Sequence, residues 1–333
     1  MLRLHFNENL YGLAPELQPA IREVIDAVNL ALYPDGGGTK LRAALSGYTG
    51  VSRDRLVLGN GSDELIFMVL LAYRSDIEQV IIPVPTFGEY RKAADSLGLR
   101  VVEIPLDDGF ELDVPAILDT ISGVESAVFL CLPNNPTGNY FKAADVEAII
   151  ASDARLLIID EAYFEFGGRT YIDATDRDAR IAVLRTLSKA FALAGQRIGY
   201  LAGHQEMARR VDEIRQPFNV GALSQEIATL VVDNAPVQLA SVPEIMKERE
   251  TLQGRLGSIP GLTPLPSVTN FFLLQVDEKF ARGAEEVQSV LLQKGIRVRF
   301  LPDLPDYIRV SAGTPEAGVK LVEVMQAMYR GEI

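Results

Sequence analysis

Hydrophobic and polar positions set two rhythms along this chain. Between about residue 55 and residue 215, short apolar runs recur at Arg55–Leu58, Gln79–Pro83, Arg100–Ile104, Ser126–Leu132, Leu156–Ile159, Ile181–Leu184 and Ile198–Ala202. Runs of this length, rich in β-branched residues and bounded by turn formers, predict buried strands. Between several of them the apolar positions switch to helical spacing, over Ser62–Tyr73, Phe87–Leu97 and Lys142–Ala151. Strands alternating with helices predict an α/β unit, with a mainly parallel seven-stranded sheet flanked by helices on both faces.

The flanks follow other patterns. Leu17, Ile21, Val24, Ile25 and Val28 predict a helix over Pro15–Val28, and Tyr33-Pro-Asp-Gly-Gly-Gly38 reads as a turn or loop. Leu223–Leu256 is mostly helical in pattern, with Pro236 and Pro243 as breaks or helix starts. The tail predicts strands at Asn270–Val276, Ile296–Phe300 and Tyr307–Ser311, and helices at Gly283–Lys294 and Glu316–Met328. These form a smaller α+β unit. The expected division is an N-terminal segment (1–30), a large domain (31–235) and a small C-terminal domain (236–333).

Composition narrows the class. With 333 residues, 48% hydrophobic and 23% charged, the chain can bury a core without disulfides. Its one cysteine, Cys131, lies in the apolar run Ser126–Leu132 and reads as a core residue, which fits a reducing cytoplasm. A net charge of −13 argues against nucleic acid and against an anionic membrane surface as partners. The first residues hold no apolar signal region, and no run approaches the ~18 apolar residues that span a bilayer. His5 and His204 stand far apart without a His/Cys cluster, so no metal site is expected.

Four segments carry candidate chemistry. In Arg185-Thr-Leu-Ser-Lys-Ala-Phe-Ala-Leu-Ala-Gly-Gln-Arg197, Lys189 sits beside the hydroxyls of Thr186 and Ser188, with Arg197 further on. An amine there can form an imine with an aldehyde cofactor, while hydroxyls and a guanidinium can hold its phosphate. The bland alternative is a surface lysine opening a helix. In Arg155-Leu-Leu-Ile-Ile-Asp-Glu-Ala-Tyr163, an apolar run ends in Asp160. A carboxylate at the end of a buried strand calls for a cation, and a protonated pyridine nitrogen is one. Tyr163 could hydrogen-bond the ring hydroxyl; an ordinary helix cap is the other reading. Leu132-Pro-Asn-Asn-Pro-Thr-Gly138 follows another strand end, where open α/β sheets bind ligands.

The fourth segment, Leu56-Val-Leu-Gly-Asn-Gly-Ser-Asp-Glu64, places two glycines between a strand and a helix, where backbone amides can cradle a phosphate. Asp63 should repel that phosphate, so its expected task is to cap the helix or accept amide bonds. A dinucleotide fingerprint fails here. Glu64 replaces the third glycine, and no acid for a ribose appears about 20 residues on.

Asn-Asn-Pro-Thr-Gly, Asp-Glu-Ala-Tyr and Thr-Leu-Ser-Lys-Ala-Phe…Arg, in that order, resemble the fold-type-I pyridoxal-phosphate aminotransferases of the aspartate aminotransferase superfamily. The closer resemblance is to the histidinol-phosphate aminotransferases, through Asn7-Glu-Asn-Leu-Tyr-Gly12, Tyr33-Pro-Asp35, Gly61-Ser-Asp-Glu64, Pro85-Thr-Phe-Gly-Glu-Tyr90, Arg215-Gln-Pro-Phe-Asn-Val220 and Ile308-Arg-Val-Ser-Ala-Gly-Thr314. The resemblance implies that Lys189 carries pyridoxal 5'-phosphate as a Schiff base and that Asp160 meets its ring nitrogen. It implies that Asn135 and Tyr163 bond the ring hydroxyl and that Phe87 stacks on the ring. Gly61, Ser62, Asp63, Thr186, Ser188 and Arg197 would surround the phosphate, and Tyr33 would reach the cofactor of the other subunit of a homodimer. Arg309 would bind the substrate's anionic group, with Tyr11, Asn135 and Arg299 as further donors. Two departures stand out: Leu10 replaces the usual proline of the N-terminal motif, and the N-terminal arm is short, which bears on dimer packing.

The implied reaction is transamination from L-histidinol phosphate to 2-oxoglutarate, giving imidazole acetol phosphate and L-glutamate in histidine biosynthesis. Aromatic amino acids as donors, or a threonine-phosphate decarboxylase-like reaction on the same scaffold, are the alternatives. A nicotinamide dehydrogenase is disfavoured by the broken glycine fingerprint. A DNA-binding regulator is disfavoured by the charge and by a pattern that occupies nearly the whole chain.

Overall fold

A computed structural model describes residues 1–278, 280 and 283–333. The chain enters on strand β1 (Leu2–Arg3) and passes through helices α1 (Gln18–Ala27) and α2 (Thr39–Thr49). The first predicted helix opens as a short 3-10 turn, Pro15–Leu17, because Pro19 at the second position of α1 has no N–H to give. The alternating region follows as β2 (Leu56–Asn60), α3 (Ser62–Ala72), β3 (Gln79–Val84), α4 (Glu89–Ser96), β4 (Arg100–Pro105), α5 (Val114–Ile121), β5 (Ser126–Cys131), α6 (Ala143–Ile150), β6 (Leu156–Asp160), the short α7 (Phe164–Gly167), β7 (Ile181–Thr186), β8 (Ile198–Gly203) and α8 (Gln205–Ile214).

The seven strands stand in the order β2-β8-β7-β6-β5-β3-β4. Strands β4, β3, β5, β6 and β7 run parallel, whereas β8 is antiparallel to both neighbours. The mainly parallel expectation therefore holds with one reversed strand. The short link from β7 to β8 explains it, since a parallel return needs a crossover of a dozen or more residues. Both faces of the sheet are covered. One core gathers Leu41, Leu130, Ile159, Val183 and Ile198; the other gathers Val57, Ile66, Val80, Phe129 and Ile158. Adjacent residues of one strand point to opposite faces, so Ile158 and Ile159 serve different cores.

The remaining elements are α9 (Ala222–Asp233), α10 (Ala235–Gln238), α11 (Val242–Gly257), β9 (Leu262–Pro264), β10 (Phe271–Val276), α12 (Ala284–Gln293), β11 (Ile296–Arg297), β12 (Arg299–Phe300), β13 (Tyr307–Ser311) and α13 (Pro315–Tyr329). Pro236 and Pro243 lie in the first turns of α10 and α11, as helix starts. The predicted strand Ile296–Phe300 is a correction: it divides into two. β11 pairs with β1, while β12 joins the antiparallel sheet β12-β13-β10-β9. Val298, between the halves, is buried in the C-terminal core, so the strand has to switch partners around it. Strands β1 and β9 escaped the sequence reading, being only two and three residues long.

Sheet order locates the site. The chain leaves β3 toward β4 and leaves β5 toward β6, on opposite sides, so the carboxyl ends of β3 and β5 flank a crevice where connections diverge. Pairing between these strands ends at Ile81↔Val128, while β5 and β6 stay in register to Cys131↔Asp160.

Candidate active site

One cavity lies over these strand ends. Its lining includes Phe6, Asn7, Ser62, Asp63, Phe87, Cys131, Asn135, Asp160, Ala162, Tyr163, Thr186, Ser188, Lys189, Arg197 and Arg309. Residues from nearly the whole length of the chain therefore meet at one place. Three of them arrive on neighbouring strands: Cys131 ends β5, Asp160 ends β6 and Thr186 ends β7.

Asp160 is 3% exposed. Tyr90 donates its hydroxyl to Oδ2 at 2.7 Å, and the backbone N–H of Ala162 donates to Oδ1 at 3.0 Å. Among the described residues no lysine or arginine makes an ion pair with this carboxyl. Burial raises it to about 6 against the pull of the two hydrogen bonds, with Asp63 and Glu161 adding repulsion. A buried acid of this kind, facing a cavity, fits a ligand that brings its own cation.

Lys189 faces the same cavity. Its Nζ donates to the Phe6 carbonyl at 3.0 Å and lies 5.6 Å from the centre of the Tyr163 ring. Burial first, and the charge of Arg309 second, lower the amine to about 8. The neutral, nucleophilic fraction near pH 7 is thereby raised by roughly two to three orders of magnitude.

The opposite end of the cavity is built for an anion. Helix α3 begins after Gly61 with no side-chain cap, so its first amides are open. Around it stand Ser62, Thr186, Ser188 and Arg197. Thr186 Oγ1 donates to Ser188 Oγ at 2.9 Å and accepts from the Ser188 amide at 3.1 Å, fixing both hydroxyls. Asp63 does not cap the helix as the sequence suggested; its Oδ2 accepts from Arg197 Nη2 at 3.0 Å. The pair holds the guanidinium over the helix end and offsets the acid's repulsion.

Glycine makes this approach feasible. A Cβ on Gly199, in β8, would lie 2.3 Å from the Ser62 amide nitrogen and 2.5 Å from the Gly61 carbonyl carbon. Both are backbone atoms with nowhere to go. Gly199→Ala should destabilise the protein by about 1–3 kcal/mol, read as a lower urea midpoint. An unchanged midpoint would contradict the close packing.

Arg309, on β13, forms the third wall. Nη1 donates to Asn135 Oδ1 at 2.5 Å and Nη2 to the His5 carbonyl at 2.7 Å. Its Nε is buried with no hydrogen-bond partner among the described residues. A buried guanidinium with an unused donor suits a carboxylate or phosphate oxygen. Tyr163 is pushed well above its ordinary pKa by burial and keeps its proton. Its hydroxyl accepts from Asn7 Nδ2 at 2.9 Å, which leaves the phenolic hydrogen free to point elsewhere.

Several sequence candidates lie elsewhere. Gly61 is not in the lining but links β2 to α3, where its amide donates to the Arg197 carbonyl. Tyr11 packs against the cluster of Tyr163, Phe271 and Ala312 without lining the cavity. Arg299 pairs with Arg309 across β12 and β13 but lines a second pocket with His5, Phe6 and Arg297. Tyr33 is 83% exposed, stacked on Phe218 at 4.7 Å, outside this chain's own cavity. Conversely, Phe6, Asn7, Cys131 and Ala162 line the cavity without having been singled out for it. Cys131 is buried as expected, yet it borders the site as well as the core. The alternation along β5 held the only signal: Cys131 shares its face with Phe129, and its register partner is Asp160.

The sequence matches the profile of aminotransferase class I and II over residues 1–324. It is 36% identical to a histidinol-phosphate aminotransferase of Roseiflexus castenholzii, covering 98% of this chain and 89% of that protein. It is 34% identical to another of Hydrogenobaculum sp., covering 98% and 94%. A solved histidinol-phosphate aminotransferase from Sinorhizobium meliloti, in complex with pyridoxal-5'-phosphate, superposes with a TM-score of 0.89 at 26% identity over 100% of this chain and 92% of that one. An L-threonine-O-3-phosphate decarboxylase from Porphyromonas gingivalis shares the fold at a TM-score of 0.86 and 19% identity, over 99% and 100%. Fold alone therefore does not separate the two activities.

Proposed function

The chain belongs to the class I and II aminotransferase family, and from that premise we propose that it transfers the amino group of L-histidinol phosphate to 2-oxoglutarate with pyridoxal 5'-phosphate as cofactor. The observation that carries this reading is that Lys189, Asp160 and Arg309 face one cavity. The donor set fits the cofactor at both ends. A buried acid without a protein cation suits a protonated ring nitrogen, and an uncapped helix start beside Ser188 and Arg197 suits a phosphate.

In this reading Lys189 holds the cofactor covalently, and Phe87 and Ala162 bound the ring. Asn135 and Tyr163 serve the ring hydroxyl; Ser62, Thr186, Ser188 and Arg197 hold the phosphate. The bound cofactor supplies an aldehyde and a protonated ring that takes up the electron pair left on the reacting carbon. Nζ of Lys189 would act as the general base toward the substrate carbon that bears the amino group, and its ammonium form would then be the general acid that gives the same proton up again. Asp160 would favour the protonated form of the ring nitrogen. Arg309 receives the anion common to both half-reactions: the phosphate of the donor, then a carboxylate of the acceptor.

Further parts of the reading concern assembly and place. Leu30, Leu32, Tyr33 and Phe218 are exposed, an apolar surface that a second copy would cover, and Tyr33 then reaches the partner's cofactor phosphate. The net charge of −13 disfavours nucleic acid and anionic membrane as partners, and no helix among the described residues is long and apolar enough to cross a membrane. A cytoplasmic homodimer is the proposed form.

Single-turnover half-reactions test the substrate. Histidinol phosphate should convert the loaded protein at least about tenfold faster than phenylalanine or threonine phosphate, since a site shaped to one donor discriminates by the fit of its whole side chain and not by the anion that all three can offer to Arg309. Equal or faster conversion by phenylalanine would give the assignment to the aromatic amino acids. Release of carbon dioxide from threonine phosphate would give it to the decarboxylase.

A further inference from the structure

Asp160 does not stand alone under the cavity. Tyr90, on α4, is 0% exposed, and its ring is stacked on Phe129 with centroids 4.4 Å apart. It also meets Phe87 edge-on at 5.6 Å. Its hydroxyl proton goes to Asp160 Oδ2 at 2.7 Å. One side chain thus touches both the acid and the aromatic residue that bound the ring position. Burial pushes the Tyr90 phenol well above its ordinary pKa, so it remains a donor across the working pH range.

We propose that Tyr90 is a positioning residue for the cofactor, holding Asp160 ionised and aimed at the ring nitrogen. The proposal rests on the reading of Asp160 as the ring-nitrogen partner. Lys189, Arg197 and Arg309 line the same cavity and are common to wild type and any Tyr90 variant; of the remaining groups, two oppose ionisation of this carboxyl and two leave it alone. Asp63 from α3 and Glu161, next along the chain, repel it. The Cys131 thiol from β5 is pushed up to about 12 by burial and stays neutral, as does the buried Tyr163 phenol. Among the described residues, only Tyr90 and the Ala162 amide donate to it. A hydroxyl that donates to a carboxylate favours its charged form, so losing the hydroxyl moves Asp160 further up.

The sign of the effect separates positioning from plain packing. Above the Asp160 pKa the acid is ionised before and after the cofactor binds, so the lost hydrogen bond largely cancels. Below it, binding a protonated ring must first expel the acid's proton, and that step is harder without Tyr90. Phosphate ionisation and Lys189 ionisation are common to wild type and variant, so they drop out of the ratio of dissociation constants.

Pyridoxal 5'-phosphate titrated into the full-length cofactor-free protein, wild type and Tyr90→Phe, is the test. The variant should bind about tenfold more weakly at pH 6 and nearly as tightly as wild type at pH 8.5. A ratio that is flat across this range, or no loss at pH 6, overturns the proposal. Wild-type protein that binds no cofactor overturns the function reading and this proposal with it. A second measurement does not depend on the variant folding: the 15N shift of ring-labelled cofactor in the loaded wild type. A protonated nitrogen from pH 6 to 8 is expected, and an unprotonated one refutes the role given to Tyr90.

Discussion

Lys189→Ala should remove the visible absorbance of the purified protein and lower transamination by about four orders of magnitude or more. Two roles fall on one amine in the proposed reaction. As nucleophile it holds the cofactor, and as general base and acid it moves the proton at the reacting carbon. Alanine can do neither, and among the described residues the cavity lining holds no second amine. The remaining basic side chains of the lining are Arg197 and Arg309, which stay protonated at working pH. Stability should change little, because the Lys189 amine makes one hydrogen bond, to the Phe6 carbonyl, and its burial already disfavours the charge. Two measurements check this: a spectrum before and after borohydride, and a urea melt. A variant that keeps a borohydride-sensitive band would place the covalent attachment on another residue.

Asp160→Asn should separate function from stability. The isosteric amide fills the same space but carries no charge for a ring nitrogen. Breaking a buried charge pair costs about 3–5 kcal/mol, or a fall in kcat of about 10²- to 10⁴-fold. The cofactor-free protein should move the other way. The folded-state pKa of Asp160 is raised from 3.8 to about 6, so this group binds its proton more tightly folded than unfolded. Its favourable contribution is therefore present below about pH 4 and is lost as pH rises through about 6. At pH 8 wild type bears a penalty on the order of 3 kcal/mol that asparagine does not. Urea melts of the cofactor-free proteins at pH 5 and pH 8 should show the variant gaining on wild type as pH rises. A variant that loses stability at both values, with kcat intact, would make Asp160 a structural acid.

Parts of this site were readable in the sequence because they are local. Lys189, Thr186 and Ser188 lie within four residues, so their association needs only the turn after β7. Asp160 was visible as a carboxylate closing an apolar run. Other parts had no local signal. Asn7 reaches Tyr163 across 156 positions and Arg309 reaches Asn135 across 174. Tyr90 lies on a helix whose apolar spacing reads as core, and core it is; that its one polar atom ends beneath Asp160, 70 positions on, follows from how α4 packs on the sheet. Arg299 shows the converse. Its strand was expected and it stands opposite Arg309 in register, yet its side chain lines a different pocket.

Dihedral preference and side-chain periodicity act over a few residues, and they settled the alternating strands and helices and the buried faces, while the chemical motifs were legible through their resemblance to a known family. Which strand would reverse, which two strand ends would part to leave a crevice, and which distant side chains would line it were decided by packing. Two cores on either side of one sheet must both close, and a third must seat β13 beside them. Such choices depend on contacts between segments far apart in the chain, so no stretch read by itself contains them.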